Sequence, residues 1–570
     1  MSPTPTLPTT HRPEPPTPPT RHRPATPTLP TRHGPAAPTL PTAPTLPTRH
    51  RPAPPTPVTG GIGESPRRPD GTLKVKGDFA YSSDLWAEGM LWGATVRSPH
   101  PRARIRSVEV AEALATPGVL AVLTHEDVPG RKTYGLEIPD QPVLAWEDVR
   151  CQGEAVALVA ADHPETARRA AERVRVDYQE LEPVVDAEAA IAGDAPALHP
   201  GGNVLRHIRI RHGDQQAAAA VVVRGEHEVG MQDQAFLGPE SGLAVPDGEG
   251  GVDLYVSTQW LHVDRDQLAA SLGLPPEQVR ITLAGVGGAF GAREDLSIQI
   301  HACLLALRTG RPVKMMYTRE ESFFGHVHRH PARLAYEHGA TPPDPPGGLA
   351  LPGAVVVAPA AAAEPGPAAA AEAGPPAGVL VTLADLLGRQ TVEETREHHH
   401  RATSPLDPET GQGDAHLAFA FAAHRAVVDV DTELGLVKVV EIATAQDVGR
   451  ALNPQAVECQ IEGGIAQGLG LALMEEIQVA GGKVRNPSFT DYLIPTVLDM
   501  PPVRTDVLEL GDPTSPYGVK GVGEPPTISS TPAIVAAVRA ATGRPLTRVP
   551  IRPEHVVGLE PQDAGPSRGG

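Results

Sequence analysis

Proline placement decides which parts of this chain can fold. The chain carries 65 prolines in 570 residues, and they crowd into two stretches. In the first, "PTLPT" begins at Pro5, Pro27, Pro38 and Pro44, interleaved with "RHRP" and "RHGP". The second runs from Pro342 to about Gly378 as "PPDPPGGLALPGAVVVAPAAAAEPGPAAAAEAGPPAG". Proline fixes φ and supplies no N–H, so neither stretch can build a helix or a sheet. Residues 1–68 therefore read as a disordered, partly polyproline-II arm, and 342–378 as a linker or scrambled segment. Regular texture is left to 72–190, 205–340 and 391–556, with 557–570 as a disordered tail.

Within those limits the patterns mix helix and strand. "GEAVALVAADHPETARRAAERVRVDYQEL" reads as strand, helix, strand, with Pro164 near the first helical turn. With "GMLWGATVRSPHPRARIRSVEV" it makes 72–190 an α/β unit. The segment 205–340 reads strand, helix, strand, glycine-rich turn, helix, strand. After 391, "DTELG" reads as a hairpin turn in a β-rich stretch, "PQAVECQIEGGIAQGLGLALMEE" as a glycine-bearing helix, and "TPAIVAAVRAATG" as a helix ending at Gly543.

The charge balance is -19, from 49 basic and 68 acidic residues, which argues against nucleic acid as a partner. Three scattered cysteines, Cys151, Cys303 and Cys459, form no CxxC pair, so no zinc or iron–sulfur site of this chain's own is expected. Their sparseness argues against a disulfide framework and for a cytoplasmic protein. No run of about 18 apolar residues signals a membrane span.

Six stretches could carry chemistry. "GVGGAFGARED", Gly285 to Asp295, follows a strand and precedes a helix. Its glycines Gly287, Gly288 and Gly291 let backbone approach a ligand, or they serve a tight turn. Gln259, in "STQWLHVDRDQ", either donates an amide hydrogen to a ligand oxygen or bonds local backbone. In "QIEGGIAQGLG", the glycines imply a close neighbour, either a helix or a cofactor. "HVHRH" would set His326, His328 and His330 on one face of a strand, and "HHH" spans His398 to His400. Neither brings a cysteine or an acid at ligand spacing, so no metal ligands are assigned. Last, Glu524 in "PYGVKGVGEPPTISS" stands among glycines ahead of a Pro-Pro stop. It suits a general base whose pKa low solvent access would raise, or else it caps the next helix or pairs with Lys520.

Taken in order, "STQ…H…R", "GGAFGARED", "QDVGRALNPQAVECQIEGGIAQGLG" and "GVKGVGEPP" resemble the molybdenum-binding large subunit of the xanthine dehydrogenase / aldehyde oxidase family. The resemblance spans about 70–340 and 391–556. It implies an α+β fold: an N-terminal α/β hammerhead-like domain, then molybdenum-cofactor-binding domains, with a large internal segment missing. It implies oxidation of hypoxanthine or xanthine to urate. Aldehydes or other N-heterocycles are the alternative substrates, and a non-catalytic remnant the alternative product. Glu524 would be the catalytic base and Glu294 would hold the heterocycle. Gln259, Gly287, Gly288, Phe290, Gly291, Gln460, Gly463, Gly464, Gly521 and Gly523 would line the cofactor. That cofactor is molybdenum–molybdopterin, in its simple or cytosine-dinucleotide form, with the metal held by the pterin dithiolene. No iron–sulfur cluster or FAD is expected in this chain; separate iron–sulfur and flavin subunits of a hetero-oligomer would carry electrons away.

The likeness breaks between Pro342 and about Gly378. The family's arginine-containing "RGFG" motif, its substrate-orienting arginine and its pocket aromatics have no counterpart here. Cys459 stands where a glycine is expected before Gln460.

Overall fold

A computed structural model describes residues 61–214, 217–341, 388 and 393–559. The arm through residue 60, nearly all of the Pro/Ala-rich stretch and the tail after 559 lie outside the described residues, so the readings made for them stay at the level of sequence.

The central layer is a seven-stranded mixed sheet. Its strands are β1 (Leu91–Arg97), β3 (Val119–Leu123), β4 (Ala155–Ala161), β7 (Ser241–Pro246), β8 (Val252–Val256), β9 (Val279–Leu283) and β10 (Val313–Met316), in the order β9-β8-β7-β10-β1-β4-β3. A second small sheet pairs β2 (Ala103–Glu109) with β5 (Arg175–Glu180). β4 is "AVALVAA", buried at every position. A strand covered on both faces needs that unbroken apolar run rather than an alternating one. Between β4 and β5 lies α1 (Pro164–Ala171), opened by the His163 ring accepting the Glu165 N–H and by Pro164 in its first turn.

The sequence boundary near 190–205 does not interrupt this sheet. β1 runs parallel to β10, with Leu91 opposite Val313, and antiparallel to β4. The core is shared accordingly: Leu91, Leu123 and Leu158 pack with Leu254, Leu305 and Met315. Two helices, α2 (Leu261–Leu272) and α3 (Gln299–Thr309), contribute Leu268, Leu272, Leu304 and Leu305 to the same cluster, and the short α4 (Arg319–Gly325) follows β10.

The later part of the chain forms a second core. β12 (Phe421–Asp431) and β13 (Leu436–Asp447) make a long hairpin, and β14 (Val503–Leu508) runs parallel beside β13. Asp431 closes the hairpin, its Oδ1 accepting the N–H groups of Glu433 and Leu434 at 2.9 Å each. Over this sheet cross α5 (Pro454–Leu473) and α6 (Pro525–Thr542), burying Ile461, Ile465, Leu469 and Ile534 against Ile442. The two cores meet through a further sheet, in which β6 (Val221–Val229) pairs with β11 (Ala332–Ala340) and with the short β15 (Arg548–Val549). Among the described residues, no helix is long and apolar enough to cross a membrane.

Three local expectations are corrected. Residues 61–68, grouped with the arm, are docked: Gly63 N–H donates to Leu452 O at 2.9 Å, and the Gln455 N–H reaches Ser65 Oγ at 3.2 Å. His326 to His330 is not a strand, so its histidines share no strand face; only Arg329 makes a lone bridge, to Gln232. Pro525 and Pro526 do not stop the chain but begin α6, because the first helical turn needs no N–H from them.

Candidate active site

The sequence-predicted residues fall into two groups. The first is built on the loop between β9 and α3. This loop does not lead straight into the helix, as its glycine pattern suggested: α3 starts only at Gln299, with Ile298 at its cap. The chain between is a wandering turn, so anion binding at that helix end is not what its glycines serve.

What holds the turn is hydrogen bonding to Gln259 and Arg293. Gln259 Oε1 accepts the N–H of Gly291 at 3.1 Å and of Arg293 at 3.2 Å. Its backbone N–H donates to Arg293 O at 3.0 Å. With the carbonyl oxygen used twice, the amide orientation is fixed, and the NH₂ group faces outward, 3.4 Å from Glu294 Oε1. Gln259 itself is exposed. The local-backbone and ligand-donor readings of this residue are therefore compatible: its oxygen does the first, and its nitrogen, which donates one hydrogen to Glu294 Oε1, keeps a second for the other.

Arg293 was not singled out by sequence, although it lies inside the "GGAFGARED" motif. It is buried, and its guanidinium donates to Gly288 O at 3.0 Å and to Gly238 O at 2.5 Å, while stacking over Phe236 at 4.3 Å. Burial pushes its pKa down from the arginine value. A cation spending its donors on backbone carbonyls braces a loop more firmly than glycine geometry could. The signal available in the sequence was an arginine placed between glycines and an acidic pair, with no carboxylate at helical spacing.

That bracing keeps Phe290 in a left-handed conformation, φ 54°, with its ring half exposed. Non-glycine residues rarely adopt such φ, and they persist where the surroundings enforce them. Gly291 has φ 96° and open space where a side chain would stand. Gly288, at φ 99°, backs onto Phe236 and the Phe290 ring, and Gly287 lies against Gly238.

The second group sits where α5 crosses α6. A methyl on Gly464 would come 2.7 Å from Pro526 Cβ, and one on Gly468 1.9 Å from Ser530 Oγ. Thr527 and Thr531 hydroxyls donate across the crossing to Gly464 O at 3.1 Å and Gly468 O at 2.9 Å. Helix contact thus explains the buried glycines. Gly463 differs: it is exposed, with nothing near its missing side chain, as is Gly521. Exposed Gln460 approaches Gly523, whose absent Cβ would lie 3.5 Å from Gln460 Oε1.

Glu524 occupies the position before α6 yet makes no side-chain cap. Lys520 is engaged elsewhere, 2.5 Å from Asp447 Oδ2. Neither local role imagined for this acid is realised. Glu524 is also exposed, contrary to the expected low solvent access. The physical reason is that α6 begins with two prolines and is flanked by glycines, so no neighbouring side chain covers it. Among the described residues, no hydrogen bond or ion pair joins the Gln259–Glu294 group to the Gln460–Glu524 group.

Fold and site together describe a protein with glycine-walled approaches, one fixed amide donor and one free carboxylate. Comparison with known proteins gives this a family. Residues 76–182 match the aldehyde oxidase and xanthine dehydrogenase a/b hammerhead domain. Residues 198–343 and 357–501 match molybdopterin cofactor-binding domains. The second of these matches reaches into the Pro/Ala-rich stretch. A protein of Bacillus subtilis (strain 168) described as a probable xanthine dehydrogenase subunit is 42% identical over 276 residues, 48% of this chain and 37% of that protein. A nicotinate dehydrogenase large molybdopterin subunit of Eubacterium barkeri is 36% identical over 283 residues, 49% of this chain and 67% of that protein. Among solved structures, the aldehyde oxidoreductase from Desulfovibrio gigas superposes with a TM-score of 0.74 at 20% identity, over 87% of this chain and 80% of that one. The chain belongs to the xanthine dehydrogenase / aldehyde oxidase family of molybdopterin-binding proteins, with the α+β architecture that membership implies.

Proposed function

We propose that this chain is the molybdenum–pterin subunit of a hydroxylase that oxidises hypoxanthine and xanthine to urate. The observation that carries the reading is the Gln259 amide, whose oxygen is consumed by Gly291 and Arg293 so that its NH₂ group is presented outward. Such a donor, next to open glycines and a half-exposed Phe290, fits a bulky oxygen- and sulfur-bearing cofactor. Gln259, Gly287, Gly288, Phe290 and Gly291 would hold it from one side, and Gln460, Gly463, Gly464, Gly521 and Gly523 from the other. The cofactor, when bound, supplies the oxygen and accepts the electron pair.

The protein's own part is smaller and definite. Glu524, free of local partners, accepts a proton at its carboxylate as the oxygen adds to the substrate carbon. Glu294, next to the Gln259 amide, accepts N–H groups of a purine ring. Iron–sulfur and flavin subunits remove the electrons from a hetero-oligomer in the cytoplasm, and the pterin is the simple or cytosine-dinucleotide form. The kinship with a protein named nicotinate dehydrogenase supports one second reading, oxidation of another N-heterocycle.

Co-expression of the full chain with iron–sulfur and flavin partner subunits tests these readings together. Molybdenum and pterin content are measured first, then turnover of xanthine, hypoxanthine, nicotinate and an aromatic aldehyde. Urate formation is the expected result. Turnover of nicotinate alone moves the substrate assignment, and bound molybdenum without any turnover makes the chain a non-catalytic cofactor carrier. Absence of molybdenum overturns the cofactor itself.

A further inference from the structure

The sequence gives the histidines of "HVHRH" no acidic neighbour, but the fold supplies one from elsewhere. Asp233, on the loop after β6, lies with its Oδ2 3.2 Å from His326 Nε2 and 3.3 Å from His328 Nε2. The three ligand-type atoms lie within 4.8 Å of one another. The two rings stack at 4.6 Å between centroids. The Asp233 and His326 side chains are each 1% exposed and that of His328 10%.

The way these atoms meet matters more than their closeness. Asp233 Oδ2, His326 Nε2 and His328 Nε2 are all buried and all lack an aligned hydrogen bond. Buried polar atoms are seldom left so, and three of them meet at a single point. Ligands about 2.0–2.2 Å from one metal ion stand roughly 3.0–3.4 Å apart in octahedral or tetrahedral sets, with their lone pairs aimed at the ion rather than at each other. The two Asp–His separations and the missing alignment both follow from that. Behind His326, Glu240 Oε1 stands 2.9 Å from Nδ1, close but without an aligned hydrogen bond, and Ser322 Oγ lies 3.5 Å from the same nitrogen. A carboxylate on the far nitrogen of a ligating histidine is the usual support that fixes its ring and tautomer.

We propose that Asp233, His326 and His328 bind one divalent first-row transition metal ion, with Glu240 orienting His326. Two imidazoles and one carboxylate suit Zn²⁺, Fe²⁺ or Mn²⁺ and exclude Mg²⁺ and Ca²⁺ by ligand type. His326 and His328 also line a cavity of about 530 Å³, which leaves room for water to complete the coordination. The site is distinct from the molybdopterin residues but mechanically linked to them. Phe236 packs 5.0 Å from His326 on one side and beneath Arg293, at 4.3 Å, on the other. A metal here would stiffen the platform on which the Gln259–Phe290 turn rests.

The rival explanation is a protonated His326 clasped between two carboxylates. Burial opposes that charge, but Asp233 and Glu240 outweigh it and hold the His326 pKa up to about 9. That arrangement leaves His328 Nε2, 3.3 Å from the same Asp233 Oδ2, without an aligned hydrogen bond.

The test uses the full chain with His398, His399 and His400 replaced by alanine, which removes an exposed competitor for metal. After chelation and dialysis the protein is titrated with Zn²⁺, desalted and counted by mass spectrometry. One retained equivalent is expected, weakened at least tenfold by H328Q and by about 10- to 100-fold by E240Q. No retained equivalent, or one unchanged in an H326Q/H328Q variant, overturns the site in favour of the protonated pair. Zinc-edge X-ray absorption of the unmutated site decides the matter even if a variant does not fold. Two imidazoles with oxygen support the proposal, and a sulfur ligand contradicts it.

Discussion

The turn around Phe290 and the loop around Glu524 are both rich in glycine, yet they are held in opposite ways. The first is braced from below. Arg293 is buried beneath it, bonded to Gly288 O and Gly238 O, and Gln259 Oε1 accepts the N–H groups of Gly291 and Arg293. The second is braced only at its start and end, by Lys520 on Asp447 and by the first turn of α6. Among the described residues its acid makes no side-chain hydrogen bond or ion pair. Preorganisation lies on one side only. The donor surface is fixed before a ligand arrives, whereas the base depends on what comes to face it. A fixed donor costs nothing to orient during reaction, and a base without local partners keeps its carboxylate available.

Breaking the brace should have the largest effect. Arg293→Met leaves the part-buried carbonyls of Gly238 and Gly288 without their donor, at up to about 1–3 kcal/mol each. A total loss of roughly 3–5 kcal/mol in urea unfolding is expected, with cofactor retention lost as well. Unchanged stability would mean that the turn holds itself and that the contrast drawn here is false.

Next comes a pH effect on the braced side. Asp264, in α2, is fully buried, and burial raises its pKa from 3.8 to about 6. Because the folded-state value lies above the unfolded one, the folded protein binds the extra proton between them. The stabilisation is complete below about pH 4 and is lost as pH rises through 6, for a total of roughly 3 kcal/mol. Asp264→Asn should remove that part of the pH dependence. Parallel denaturation curves of both proteins at pH 5 and pH 8 measure it, and identical slopes would contradict the assignment.

A smaller effect sharpens the other side. Gly468→Ala would set a methyl 1.9 Å from Ser530 Oγ and force α5 and α6 apart, costing about 1–3 kcal/mol. Gly463→Ala, one turn away but facing open space, should cost nothing and gain a few tenths from helix propensity. If both substitutions behaved alike, helix packing would not be the reason for these glycines. Gly463→Ala should then be read for cofactor retention, the role proposed for it.

How much of this was legible in the sequence follows from the range of each interaction. The strand–helix–strand run from Ala155 to Glu180 and the Asp431 hairpin depend on neighbours, and the pattern gives both. The pairing of β1 with β10 joins Leu91 to Val313, and no local period announces such a partner. The same distance hid Asp233 from His326 and His328. Pro525 and Pro526 mislead for another reason: proline both ends structure and begins helices, and only the residues that follow decide which. Arg293 escapes notice because an arginine is ordinarily taken for a surface charge, and its burial shows only once Phe236 lies beneath it.

The role of Glu524 is decided by one substitution. Glu524→Gln keeps the size of the side chain and alters no contact within the described residues, so folding and molybdenum content should be unchanged. In the assembled complex the account predicts turnover falling by about 10²- to 10⁴-fold. Full turnover with molybdenum bound would contradict it, because the reaction would then need no base at this position.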